Sequence, residues 1–249
     1  MNEMINPVVR LSSLTLENIK NVRKGTVCVP MAGITKAGVL GIYGQNGSGK
    51  TTVIDALYFL QQIMMGNELE PAIADYMNSE SGHAEITAEF IISGNENTLY
   101  EVGYHVQLKN IDSKVYIDRE FLNCSITKNG SRSNKNIFMD YQRSASNSIF
   151  QPQKRLDELV SQDKNLLTDL IVARKIAEKS NCSYIFGESS RDIFSHSDSI
   201  PFENYSFVIR TLFRFAVRDL FVVRNMHSGM IATNFRPVSY THLTLPTIA

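Results

Sequence analysis

Cysteine is scarce and poorly placed for cross-linking: Cys28, Cys124 and Cys182 are odd in number, far apart and without CxxC spacing. That pattern excludes a disulfide framework and a thiolate zinc site, and the three read as thiols of a cytosolic protein. Net charge is also missing, with 25 Lys and Arg against 25 Asp and Glu in 249 residues. No global field draws the chain to nucleic acid or membrane, although a local basic face remains compatible. No stretch reaches the roughly 18 apolar residues of a membrane span, and residues 1–10 lack the apolar centre of a secretory signal. There is no internal repeat and no low-complexity tract. His83, His105, His196 and His227 are scattered without metal spacing, and no Ser/His/Asp or paired-carboxylate arrangement can be picked out. What remains is a cytoplasmic chain with 43% apolar residues, enough for one large α/β domain or two lobes sharing a core.

Periodicity divides that chain. Leu14, Leu16 and Ile19 alternate with polar neighbours and predict a half-buried strand; residues 25–29 predict a second, and the two make a hairpin. Residues 38–43 are a continuous apolar run, the pattern of a buried parallel strand. Val53, Ile54, Leu57, Leu60 and Met64 then fall at helical spacing over residues 51–65. Segments 84–92, 98–108, 114–126 and 137–141 are rich in β-branched and aromatic residues and separated by turn residues, which predicts an antiparallel meander. Residues 151–180 return to helical spacing, 181–199 read as a polar connection, and Pro201 opens a helix carrying Tyr205, Val208, Ile209, Leu212 and Ala216 on its inner face. Residues 219–223 predict a returning strand.

One motif carries chemistry. Gly44, Gln45, Asn46, Gly47, Ser48, Gly49, Lys50 and Thr51 fit GxxxxGK[ST] with a third glycine, between the predicted strand and helix. Glycines there let successive backbone N–H groups turn inward onto phosphate oxygens. Lys50 supplies a cation for the β and γ phosphates, the Thr51 hydroxyl a ligand for Mg²⁺, and Thr52 with the first helical amides favours phosphate charge. Residues 44–52 are therefore the expected ATP and magnesium site.

With Leu14 to Lys20 reading L-T-L-E-N-I-K, the Asn46 to Gly49 core and the Asp55-Ala56-Leu57 helix, the chain resembles the N-terminal heads of RecF- and SMC-like ATPases, and more narrowly stand-alone bacterial AAA-family ATP-binding proteins related to the overcoming-lysogenization-defect (OLD) and Gabija ATPases. The resemblance is strong over residues 11–60 and architectural through Phe235. It implies an α/β P-loop NTPase of ABC type with an antiparallel β-meander and a helical lobe. Residues 1–142 would form the nucleotide-binding lobe, and 143–237 the helical lobe with the start of the returning strand. It also implies a homodimer of heads sandwiching ATP, with DNA or a nuclease effector as possible partner in DNA-linked or phage-defence activity, and a glutamine touching Mg²⁺ after the meander. Gln142 is favoured over Gln151 and Gln153. A transporter's nucleotide-binding subunit, or a regulatory nucleotide binder without turnover, are the alternatives. Lys20, Arg23 and Lys24 could approach nucleotide or DNA, although charges flanking a surface strand are more often simply solvated.

Two departures qualify the resemblance. No apolar strand ends in the Asp-Glu pair that supports Mg²⁺ and polarises water, because the run after Asp219 ends in Arg224, and no LSGGQ-like signature is present. Residues 238–247 resemble a translated transposase adapter used in preparing sequencing libraries, so 238–249 are expected to be a non-native tail on a C-terminally truncated head. Phosphoryl transfer needs an oriented water and transition-state charge stabilisation as well as a phosphate cradle. The 249-residue chain is accordingly predicted to show no multiple turnover of ATP in a phosphate-release assay; Lys50-dependent turnover would reveal catalytic acids missed in the sequence.

Overall fold

The computed structural model describes residues 7–30, 33, 39–78, 80–94, 97–145, 153–161, 165–195, 203–226 and 229–232. The adapter-like tail, Gln151, Pro201, His196 and His227 lie outside them. Strands β1 (Val9–Ile19) and β2 (Val22–Cys28) form the expected hairpin, followed by helix α1 (Lys50–Met64) and a 3-10 turn at Pro71–Tyr76. The meander is β3 (His83–Ser93), β4 (Thr98–Ile111), β5 (Lys114–Lys128), the two-residue β6 (Ser131–Arg132) and β7 (Asn136–Gln142). These strands make one antiparallel sheet in the order β2-β1-β3-β4-β5-β6, with β7 also pairing β5.

Alternation decides which face is buried. Ala84, Ile86, Ala88, Phe90 and Ile92 of β3 point inward with Val102, Tyr104, Val106 and Leu108 of β4, as a period of two requires. In β5 the phase changes. Val115 and Ile117 are buried, then Glu120, Leu122 and Cys124, because the ladder slips between Gln107 and Leu108 and Asp118 becomes the extra residue of a bulge. A one-residue slip moves every later side chain to the other face, and this one turns Glu120 into the core.

The inner face is covered by α1 and by the helices after the meander: α2 (Gln153–Val160), α3 (Leu166–Ser180), α4 (Glu188–Ser195) and α5 (Glu203–Arg214). Aromatic rings join the layers. Tyr104 meets Phe186 edge-on at 5.0 Å, Phe90 meets Phe215 at 5.8 Å, and Phe138 meets Tyr205 at 4.3 Å. Each such pair adds about 0.5–1.5 kcal/mol beyond its burial. The hydrophobic cluster is continuous from Leu14 to Ala216 and crosses the expected lobe boundary at residue 142.

Three expectations need correction. Residues 181–199 are no mere polar connection, since Tyr184, Ile185 and Phe186 are fully buried and α4 follows. The serines and acids around them mask a short apolar anchor. The returning strand starts later than residue 219: α5 runs into a π-turn at Phe215–Asp219, Leu220, Phe221 and Val222 follow without regular structure, and β8 (Val223–Met226) then pairs, among the described residues, with β9 (Gly229–Ala232) alone. Residues 39–43 form no strand, and Val39 and Tyr43 are 96% and 93% exposed. A parallel strand needs neighbours for its ladder, and among the described residues none lies beside this run.

Glu120 fixes the apolar anchor to the sheet. Its carboxylate accepts from the Tyr104 hydroxyl, the Ser183 hydroxyl, the Tyr184 N–H at 2.9 Å and the Ile185 N–H. Burial pushes its pKa above the usual carboxylate value of 4.5, and the four donors offset that only in part. The folded chain therefore holds this proton more tightly than the unfolded chain does. The contribution of that group to stability is complete below 4.5 and is lost as pH rises through the raised value. Glu120→Gln can keep all four contacts, its carbonyl facing the two N–H groups and its amide the two hydroxyls. Denaturation midpoints measured as pH rises from 4 are predicted to move in favour of Glu120→Gln relative to wild type; a constant or reversed gap would contradict this.

Candidate phosphate-binding site

The loop of residues 44–49 leads directly into α1. Gly49, the residue before the helix, has φ of 88°, and a Cβ there would lie 2.6 Å from Val22 Cγ2. Gly47 has φ of 82°, a conformation L side chains rarely adopt. Residues 44–48 and Thr51 are exposed, while Thr52 is buried. No side chain caps α1 and no acidic residue occupies its first turn, so the partial positive charge of the helix start faces the loop uncontested.

Lys50 folds back over this cradle. Its ammonium donates to the Gly44 carbonyl at 2.7 Å, to the Gln45 carbonyl at 2.6 Å and to Ser48 Oγ at 3.4 Å. A cation is thus held on the loop with only neutral partners, which an anionic oxygen would outcompete because two opposite full charges attract more strongly than a cation and a carbonyl dipole. The turn at the β1–β2 tip steadies the loop: Asn21 donates to the Gly47 carbonyl and accepts from Thr52 Oγ1 at 3.3 Å. The glycines, the Lys50 ammonium and the exposed Thr51 hydroxyl fit a nucleoside triphosphate with its magnesium.

The structure brings residues 44–52 together but does not bring Gln142 to them. Glu17, Glu85, Gln107, Arg119 and Gln142 stand in one row across β1, β3, β4, β5 and β7. Four strand spacings, roughly 19 Å, therefore separate Gln142 from β1. Its carbonyl accepts from Arg174 at 3.0 Å. Gln153 is exposed on α2 and bonds Asp157 at 2.9 Å. Arg23 and Lys24 pair with Glu80 and Glu17 on the surface, the solvated alternative for those two cations.

Behind the loop lies an arrangement that the sequence did not disclose. Asp55, buried on α1, receives Lys20 Nζ at 2.6 Å on one oxygen and Arg224 Nε at 3.1 Å on the other. Arg224 also donates to the Tyr76 hydroxyl at 2.7 Å and stacks 4.1 Å from the Tyr58 ring centroid. Tyr58 in turn bonds Glu70 at 2.5 Å, and burial together with that bond pushes its hydroxyl up to about 12. One turn further along α1, Gln61 donates to the carbonyls of Ala216 and Leu220 at 2.9 and 2.7 Å, which lie at the π-turn. The only signal in sequence was Arg224 standing where an acidic pair was sought.

A phosphate loop between an antiparallel meander and a helical layer defines a P-loop NTPase head of ABC type. The chain belongs to the AAA domain family, which matches residues 13–199. It is 27% identical over 176 residues to the DNA double-strand break repair Rad50 ATPase of Thermoplasma acidophilum, covering 62% of this chain and 19% of that protein. It is 34% identical over 95 residues to the DNA replication and repair protein RecF of Deinococcus radiodurans, covering 38% and 24%. Over 69 residues it is 35% identical to a component of the nuclease SbcCD of Clostridium acetobutylicum, covering 28% and 6%. The chain thus spans a quarter or less of the curated relatives it matches, and its head is of the RecF/SMC-like ATPase kind that the motifs implied. Among the described residues no helix is long and apolar enough to cross a membrane.

Asp55 and Arg224 are both nearly sealed from solvent, with side chains 6% and 9% exposed. Removing one partner of a buried pair leaves an uncompensated charge at a cost of roughly 3–5 kcal/mol. Asp55→Ala is predicted to lose stability on that scale in chemical denaturation, and a loss within about 0.5 kcal/mol, typical of surface positions, would contradict the pairing.

Proposed function

We propose that residues 44–52 bind Mg·ATP and that the head works as an ATP-driven switch in a DNA-linked activity. The observation that carries this reading is Lys50, held over a glycine cradle at the uncapped start of α1. Lys50 would engage the β and γ phosphates, Thr51 the metal, and the loop amides the remaining oxygens. Bound magnesium would neutralise phosphate charge and orient the triphosphate. Two heads closing over ATP would convert differential affinity for the closed state into movement, with residues 1–142 as nucleotide lobe and 143–237 as helical lobe.

The DNA-linked branch is preferred because three relatives carry repair, replication or nuclease names. The nuclease name of the SbcCD relative supports a nuclease as the partner of such a head. The phage-defence and transporter readings have no residue among those described that favours them.

Titrating fluorescent Mg·ATP against wild type, Lys50→Ala and Thr51→Ala tests the assignment. Each substitution removes a charge-assisted or metal-facing contact of roughly 1.5–3 kcal/mol, so both variants are expected to bind at least about tenfold more weakly. Equal affinities in all three would overturn it.

A further inference from the structure

Asp55 places a negative charge behind the phosphate loop. It follows Thr51 by four residues, about 6 Å along the helix axis, on the side of α1 that carries Thr51 and Thr52. Left bare, it would oppose the positive helix start that a phosphate needs. Two cations answer it from distant parts of the chain. Lys20 comes from the end of β1 and is one-third exposed. Arg224 comes from β8, 169 positions from Asp55, and sits in a ring cage made by Tyr58, Phe59 and Tyr76 at 4.1, 5.7 and 5.6 Å. Shielding from water by that cage makes Arg224 the more effective of the two, since a buried charge acts through a lower effective dielectric.

The attachment of this segment to α1 is double. Gln61 holds the π-turn carbonyls while Asp55 holds Arg224, so the stretch from Phe215 to Arg224 is fastened along the same helix that begins at the phosphate loop. π-turns within helices often mark functional positions.

We propose that Arg224 is a positioning residue for the phosphate site: by neutralising Asp55 it lets α1 present its positive start to phosphate, and it links nucleotide affinity to the docking of β8. The inference rests on the reading of residues 44–52 as the nucleotide site. Linkage is reciprocal, so a partner that displaces β8 lowers ATP affinity, and ATP holds β8 in place by the same factor.

The test is a double-mutant cycle read as Mg·ATP affinity, with a thermal melt of each protein. Arg224→Gln keeps much of the side-chain volume and leaves Asp55 facing Lys20 alone; it is expected to weaken binding roughly tenfold, within the ordinary range of coupling between sites. The double variant Asp55→Asn with Arg224→Gln removes both charges and is expected to return to within about twofold of wild type. Arg224→Lys keeps the charge while losing the planar group that reaches Asp55 and the Tyr76 hydroxyl at once; it is expected to stay within about threefold, and it answers the question even where Arg224→Gln does not fold. Wild-type affinity in Arg224→Gln would overturn the inference. So would a weakened Arg224→Gln that the second substitution fails to restore, because packing alone would then explain the loss, and so would an Arg224→Lys as weak as Lys50→Ala. A wild-type chain that binds no ATP overturns the phosphate-loop reading itself and the linkage with it, a result distinct from selective failure of the cycle.

Discussion

A carboxylate inside α1 is untenable without partners, because burial of a bare charge costs far more than a folded domain can spare. Asp55 meets that constraint by drawing Lys20 from the first hairpin and Arg224 from β8 onto one helix. The site depends on this knot in a direct way. The same hairpin tip that supplies Lys20 supplies Asn21 to the Gly47 carbonyl and Thr52, so the loop and its helix are registered by one turn. Electrostatics, loop geometry and the placement of the C-terminal strand pair are then aspects of a single arrangement.

The sheet has a second such point. Glu120 holds the 183–186 anchor by three hydrogen bonds and accepts a fourth from Tyr104 of β4, with no cation paired to it among the described residues, in contrast to the ion-paired Asp55. The two buried acids join different layers: Asp55 ties the phosphate helix to the hairpin and β8, and Glu120 ties the helical layer to β5. Both are polar contacts at fixed positions in a largely apolar interior, and together with the ring pairs they help specify how the helices sit on the meander.

Much of the architecture was legible in the sequence because it follows period. Leu14, Leu16 and Ile19 alternate as β1 does, the meander strands fall within a few residues of their predicted spans, and α1 begins one residue before its predicted start. The P-loop was legible because its chemistry demands particular residues at particular spacings. What stayed hidden depends on long-range pairing. The bulge at Asp118 that turns Glu120 inward exists only in the register with β4. Tyr184, Ile185 and Phe186 form an apolar run too short for a periodic signal. Arg224 looked like the wrong residue at the end of a strand, and its partner lies 169 positions away. Residues 39–43 had the composition of a buried strand without the neighbours that would make one.

Hydrogen exchange with and without Mg·ATP bears most directly on the claim that nucleotide is held at the start of α1. Slower amide exchange is expected over residues 44–52 and through the first turns of α1, because phosphate oxygens would engage those N–H groups and suppress local opening. Unchanged exchange over 44–52 at saturating Mg·ATP, or protection confined to another part of the chain, would contradict the account.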